Sequence, residues 1–365
     1  MNIIQKLALL YVSLIRIIRL SIINIFSKLL FRNKENCNKI LINRDGAFGD
    51  SIVALPAINI VRQNYPAAQI DLLSFNNSGI SFKDIGLDKA LINNLYIIHK
   101  TKRPETLSLL KKEKYDLFIQ IPQNIGIYKS VRNMILVRFY LNIKSAFGWD
   151  GGRIKSFMRY QKKFLSIPTE TQRFINTLQK NGLHGHIDYP INSQEPRHRL
   201  FEKEMSTNKP IVFLIGGKLQ PKKWPLEHWV TLAKLIDPQQ KILLIGGKDE
   251  ISDAKFILSR TTNTINLCGE LTILELHHVF KNASLAISLD TGAMHLCDAA
   301  GTKLIALFST RDLSNKWYPN NKSSIVIEKV VHCSFCLKTQ CTNNICMSNI
   351  LPEEVYSKMR DLLLT

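Results

Sequence analysis

Apolar residues along this chain fall into two alternating rhythms. Short apolar runs stop abruptly at glycine, aspartate or another turn former. They read as strands at Lys39–Asn43, Ile70–Ser74, Leu95–Ile98 and Tyr115–Gln120. Between and after them lie stretches whose apolar residues recur at helical spacing, such as Ser51–Asn64. A short apolar run bounded by turn signals is the pattern of a strand buried on both faces, and its alternation with helices builds parallel sheets. After Tyr189–Pro210, a polar, proline-containing stretch, the alternation begins again. Strands are expected at Ile211–Ile215, Lys241–Ile245, Leu285–Leu289 and Lys303–Phe308, with helices at Pro225–Ile236, Leu274–Asn282, after Gly292 and at Pro352–Leu364.

The pattern therefore predicts an α/β protein of two Rossmann-like halves facing each other across a cleft at the carboxyl ends of their strands. The expected divisions are an N-terminal helix over 1–34, a first domain over 37–190, a second over 208–350 and a closing helix over 351–365. A length of 365 residues suits two cores better than one.

Residues 1–32 follow neither rhythm cleanly. Lys6, Arg16, Arg19, Lys28 and Arg32 break the apolar run too often for it to span a bilayer, which needs about 20 apolar residues. At 100° per residue, Leu7, Tyr11, Leu14, Ile18, Ile22, Ile25 and Leu29 gather on one side, with the basic residues on the other. The expectation is an amphipathic helix lying in a membrane interface; the alternative is a helix packed on the protein's own core. Charge tips the choice: 49 Lys and Arg against 29 Asp and Glu give a formal +20, which favours an anionic membrane surface or phosphorylated substrates. No nucleic-acid module is present, so nucleic acid is not an expected partner. No Gly-x-Gly-x-x-Gly follows a strand, which argues against a nicotinamide dehydrogenase. The first apolar run lacks a clean cleavage site, so a reducing cytoplasmic setting is expected.

Several segments together resemble glycosyltransferase family 9, the family of the lipopolysaccharide heptosyltransferases. Arg44-Asp45-Gly46-Ala47-Phe48-Gly49-Asp50, with Leu55-Pro56-Ala57, resembles its first motif. Ser288-Leu289-Asp290-Thr291-Gly292-Ala293-Met294-His295-Leu296 resembles its most specific one. Gly216-Gly217, Lys222-Lys223-Trp224-Pro225, Trp229, Gly246-Gly247 and the tail Cys333–Met347 fall in family order. The resemblance implies a GT-B fold, a nucleotide-diphosphate sugar donor such as ADP-heptose, a lipopolysaccharide-core or similar glycolipid acceptor, inversion at the anomeric carbon and no metal in the chemistry.

That reading gives the residues roles. Departure of a diphosphate builds negative charge, which cations and amide donors must meet. The N–H groups of Thr291, Gly292 and Ala293 at the start of a helix fit that need, and Lys222 is carried over as a phosphate clamp. His295, one turn in, faces the donor or fills a core contact. Asp290 reads as an N-cap or a sugar-hydroxyl partner. Glu250 is preferred over Asp249 as a ribose partner. Asp50 is the family's proposed general base and equally suits an N-cap; Gly46 and Gly49 shape its loop, and Asp45 reads as a turn residue. Where relatives commonly have Phe-Gly-Pro-Thr, this chain has Phe308-Ser309-Thr310-Arg311, so Arg311 is a candidate donor contact and the donor need not be ADP-heptose. Cys333, Cys336, Cys341 and Cys346 fit either a structural Zn²⁺ site or plain reduced thiols; no cofactor is required. The expected place of work is the inner face of the cytoplasmic membrane. Rival readings are a GT-B-fold epimerase or hydrolase, which would act without an acceptor, and a non-catalytic nucleotide-sugar-binding protein.

Overall fold

A computed structural model of the chain describes residues 3–32, 36–75, 82–123, 125–149, 167–196 and 209–364. Residues 197–208 of the expected linker lie outside the described residues. The chain forms two compact units, Met1–Pro190 and Ile191–Thr365.

Unit 1 opens with helix α1 (Ile3–Leu30). Its sheet contains β1 (Lys39–Asn43), β2 (Gln69–Phe75), β3 (Asn94–Ile98), β4 (Leu117–Gln120) and β5 (Ser145–Phe147), all parallel, in the order β3-β2-β1-β4-β5. The connecting helices are α2 (Phe48–Asn64), α3 (Arg103–Glu113) and α4 (Gly126–Ile135), which runs on into a π turn at Leu136–Tyr140. Helix α5 (Glu170–Gln179) follows. β1 is buried from Ile40 to Asn43 because helices cover both faces of a parallel sheet. An aromatic stack closes one side: Trp149 lies between Phe31, at 5.2 Å, and Phe118 on β4, at 5.5 Å. Together with Ile23 of α1, Phe31 fastens the N-terminal segment onto this core. Among the described residues no helix is long and apolar enough to cross a membrane.

Unit 2 repeats the plan. Its strands are β6 (Ile211–Leu214), β7 (Ile242–Ile245), β8 (Thr264–Asn266), β9 (Leu285–Leu289), β10 (Leu304–Phe308) and β11 (Ser324–Glu328), again all parallel, in the order β11-β10-β9-β6-β7-β8. Helices α6 (Leu226–Leu235), α7 (Ile251–Leu258), α8 (Ile273–Asn282) and α9 (Gly292–Ala299) connect them, and the short α10 (Ile345–Ser348) and α11 (Pro352–Leu364) complete the unit. Val355, Met359 and Leu362 pack α11 into the same core as Trp224 and Trp229. In both sheets the chain winds out to one side and then to the other. The reversal falls between β1 and β4 in unit 1 and between β6 and β9 in unit 2, where an open α/β sheet leaves its crevice.

The first described residues of unit 2 are tied to α8. Gln194 N donates to Leu274 O at 3.1 Å, and Ser193 Oγ lies 2.8 Å from His277 Nδ1. His277 is buried, and its Nε2 makes no hydrogen bond among the described residues. Burial, with Lys281 and His278 nearby, pushes its pKa from 6.5 down to about 4. The unfolded chain therefore takes up this proton before the folded chain does. The stability that neutral His277 contributes is complete above its unfolded pKa and is lost as pH falls from 6.5 towards about 4. The expected outcome is a melting temperature that drops through that window for the wild-type chain and drops less for His277→Gln, measured by thermal unfolding at stepped pH.

Candidate functional site

Strands β9, β6 and β7 are neighbours, so the loops at their carboxyl ends lie side by side. These loops carry Asp290-Thr291, Gly216–Lys222 and Gly246–Glu250. Lys222 ends a short 3-10 turn (Gln220–Lys222) and bridges the switch point. Its Nζ lies 2.6 Å from Asp290 Oδ2 and donates to Asp290 O at 3.2 Å. With both partners largely shielded from water, this charge-assisted contact is stronger than an exposed pair. It also corrects the expectation for Asp290: the N-cap of α9 is Thr291, in extended conformation, while the Asp290 carboxylate is held by the lysine. The Thr291 hydroxyl makes no capping bond, and Thr291, Gly292 and Ala293 are only half-buried. The first turn of α9 thus presents N–H groups that lack an intrahelical acceptor, with the ammonium of Lys222 beside them. His295 is buried one turn further on, its ring edge-on to Trp317 at 6.0 Å. Lys316, also buried, sets its Nζ 4.6 Å from the Trp317 ring.

Glu250 lies over the glycines that end β6 and β7. Its Oε2 accepts from Gly247 N at 3.0 Å, and its Oε1 lies 3.6 Å from Lys223 Nζ. A Cβ on Gly246 would come within 2.7 Å of Glu250 Cβ, so a side chain there would displace the carboxylate. Asp249 is exposed, and Gly247 rather than Asp249 caps the turn at Lys248–Glu250. Lys223 pairs with Asp253 at 3.1 Å. Trp224 is buried and donates from Nε1 to Ile350 O at 2.9 Å, a packing role.

In unit 1 the counterpart is the loop from β1 to α2. Helix α2 begins at Phe48 rather than Ser51, directly after the irregular segment 44–47. Asp50 is consequently in the first turn of the helix and is not its N-cap, which is Ala47. Its Oδ2 accepts from Ala47 N at 3.0 Å and its Oδ1 from Arg44 at 3.0 Å. A Cβ on Gly46 would collide with Asp50 Cβ, so this loop admits only glycine opposite that carboxylate. Gly49 falls within the first turn of α2. Asp45 anchors the neighbouring strand instead, accepting from Phe75 N at 2.9 Å; burial pushes its pKa up.

Arg44 is a candidate that pattern reading did not single out. It is buried at 3% exposure, donates to Pro122 O at 2.9 Å across the switch point of this sheet, and stacks 4.7 Å over the Phe174 ring. Burial lowers its pKa, with Asp50 and Glu170 opposing that shift. Arg173, bonded to Glu170 at 2.6 Å, reaches the same Pro122 carbonyl at 3.2 Å. A single arginine at the end of a strand gives no periodic signal. Its sequence trace is its place as the first residue of the Arg44-Asp45-Gly46-Ala47-Phe48-Gly49-Asp50 motif.

The remaining candidates lie on the segments after β10, where Cys341 N donates to Gln220 Oε1 of the Lys222 turn at 3.1 Å. Arg311 donates from Nε to Lys338 O at 2.6 Å and from its guanidinium to Leu337 O at 3.1 Å, fastening the loop after β10 to the cysteine-bearing segment. All four cysteines of that segment are free thiols. Cys341 Sγ contacts Asn343 O at 3.2 Å and Cys346 Sγ contacts Ser309 Oγ at 3.5 Å. Among the described residues no group of three or more His, Cys, Asp or Glu side chains is arranged to hold a metal ion.

Replacing Arg44 by Met is expected to cost unit 1 about 2–3 kcal/mol, because the buried Pro122 carbonyl and Asp50 lose a charged donor. Arg44→Lys recovers only part of this, since one ammonium cannot span both acceptors. Calorimetric unfolding of the three proteins measures the difference.

The chain is similar over nearly its whole length to known proteins. Lipooligosaccharide heptosyltransferase 2 of Campylobacter jejuni is 22% identical over 344 residues, covering 89% of this chain and 98% of the relative. A glycosyl transferase family 9 structure from Veillonella parvula superposes with a TM-score of 0.69 at 18% identity, covering 91% of this chain and 99% of that one. The ADP-heptose lipopolysaccharide heptosyltransferase II of Escherichia coli superposes with a TM-score of 0.62 at 20% identity, covering 89% and 98%. These likenesses give the chain the GT-B fold. The model of glycosyltransferase family 9 (heptosyltransferase) matches residues 107–346, which take in the strand ends that carry Lys222, Glu250 and Asp290; the chain is a glycosyltransferase of that family.

Proposed function

We propose that the enzyme moves a heptose-like sugar from a nucleotide-diphosphate donor, such as ADP-heptose, to a lipopolysaccharide-core or similar glycolipid acceptor, inverting the anomeric carbon without a metal. The observation that carries this reading is the convergence of the Lys222 ammonium on the half-exposed first turn of α9, held there by Asp290.

In this reading an acceptor hydroxyl attacks the anomeric carbon from the face opposite the diphosphate. The bond from that carbon to the phosphate oxygen breaks as the new one forms, so the configuration inverts. Asp50 takes the hydroxyl proton. Arg44 and the Ala47 amide fix the orientation of its carboxylate. The departing diphosphate gains charge, which Lys222 and the amides of Thr291, Gly292 and Ala293 neutralise; a helix start adds its dipole to theirs. These groups fill the place of a divalent cation. Glu250 accepts from a ribose hydroxyl, and His295 flanks the donor site. Arg311 stiffens the loop beside that site, and its occupied guanidinium supports an indirect part in donor choice. The enzyme works at the inner face of the cytoplasmic membrane, where the outward Leu7, Tyr11, Leu14 and Ile18 of α1 and the net charge of +20 suit an anionic lipid surface.

With ADP-heptose and a lipopolysaccharide-core acceptor, release of ADP is expected to depend on the acceptor and to survive EDTA. Asp50→Ala should lower kcat about 10²–10⁴-fold, the range for losing a general base. Lys222→Ala should lower it about 10²–10³-fold, as for losing one charge-stabilising donor. Undiminished turnover by Asp50→Ala removes the base assignment, and ADP release without acceptor favours a hydrolase.

A further inference from the structure

Helix α4 and its π turn show a division of faces at helical spacing. Ser130, Met134, Val137 and Leu141 are buried in the unit 1 core. Tyr128, Arg132, Ile135 and Phe139 share the spacing on the opposite, exposed face; Tyr128 is 74% exposed and Phe139 67%. Tyr128, Ile135 and Phe139 thus form an exposed apolar strip interrupted by Arg132. Cations attend the aromatics. Arg132 lies 5.9 Å from the Tyr128 ring, Arg138 5.7 Å from Phe139, and Lys111 of α3 lies 5.0 Å from Tyr140. No acidic residue occurs between Gly126 and Trp149, nor in α1, against which α4 packs.

We propose that the outer face of α4 and its π turn is a second contact with an anionic bilayer, built into the catalytic domain and separate from α1. This inference rests on the membrane reading of the function and says where else the membrane is held. Three observations select lipid as the occupant. Tyr and Phe at the rim of an apolar strip match the interfacial zone, where a ring is half in hydrocarbon and half in headgroups. The cations stacked on them meet lipid phosphates without leaving the rings. A second copy of this face would bring like charges together with no carboxylate to offset them.

Two contacts on adjacent helices fix more than attachment. A single interfacial helix leaves the body free to swivel about it. A second contact sets the orientation of unit 1, and so of Asp50, relative to the lipid.

The test is flotation of the full chain with phosphatidylcholine vesicles, and with vesicles of phosphatidylcholine and phosphatidylglycerol, at low and high salt. Wild-type protein should bind only the anionic vesicles. Ile135→Ser/Phe139→Ser should weaken that binding about tenfold through lost apolar burial. Arg132→Gln/Arg138→Gln should weaken it about fivefold per charge at low salt and much less at high salt. Leu14→Ser/Ile18→Ser reports on α1 alone. Unchanged binding by Ile135→Ser/Phe139→Ser, with loss in the α1 variant, overturns the second contact and leaves the membrane reading standing. Failure of the wild-type chain to bind either vesicle overturns both. A dimer in sedimentation that only Ile135→Ser/Phe139→Ser dissociates, with vesicle binding intact, overturns the proposal in favour of a second copy. The variants alter exposed positions apart from the half-buried Arg138, and turnover of a water-soluble acceptor at the wild-type rate shows that they are folded.

Discussion

Each unit depends on one buried or half-buried cation that spans the point where its strand order reverses. A doubly wound parallel sheet must leave a crevice there, because helices depart to opposite faces on either side. The loops bordering that crevice carry backbone groups that no ladder satisfies. In unit 1 the Arg44 guanidinium, on the β1 side, bonds the Pro122 carbonyl beyond β4 and holds Asp50. In unit 2 Lys222, beyond β6, bonds Asp290 beyond β9. Both bridges join the two sides of the reversal. Arginine suits the first position, since its fork reaches acceptors on two separate segments, Pro122 O and Asp50. Lysine suits the second, where both acceptors belong to one residue, Asp290.

The central strands were legible because burial on both faces leaves an unbroken apolar run; Lys39–Asn43 and Leu285–Leu289 are the same segments in sequence and structure. The strands that pattern reading missed, β5, β8 and β11, all lie at sheet edges. Ser145–Phe147 and Thr264–Asn266 are three residues each, too short for any period, and Ser324–Glu328 mixes polar and apolar positions. Edge strands are covered less, so their sequence is constrained less.

The site was legible as a set of loops and less so as a set of bonds. Spacing placed Asp50 and Asp290 near helix starts, where either could cap. The structure gives the caps to Ala47 and Thr291. The Asp290 carboxylate turns to Lys222, while Asp50, three residues past the cap, bonds back to Ala47 N as well as to Arg44. Lys222 and Asp290 are 68 residues apart in sequence and leave no local mark. Arg311 shows the converse. Its charge invited a phosphate contact, while two carbonyls of the Leu337–Lys338 turn hold its guanidinium. The residues that set Arg311 apart from its expected contact thus act by fixing a loop.

The account turns on a diphosphate bound at the head of α9, and a crystal structure of the full chain with ADP tests it most directly. The account predicts phosphate oxygens within hydrogen-bond reach of Lys222 Nζ and of the Thr291, Gly292 and Ala293 amides, with Lys222 drawn from Asp290 towards the ligand. A diphosphate bound elsewhere, with the Lys222–Asp290 pair undisturbed, would contradict it.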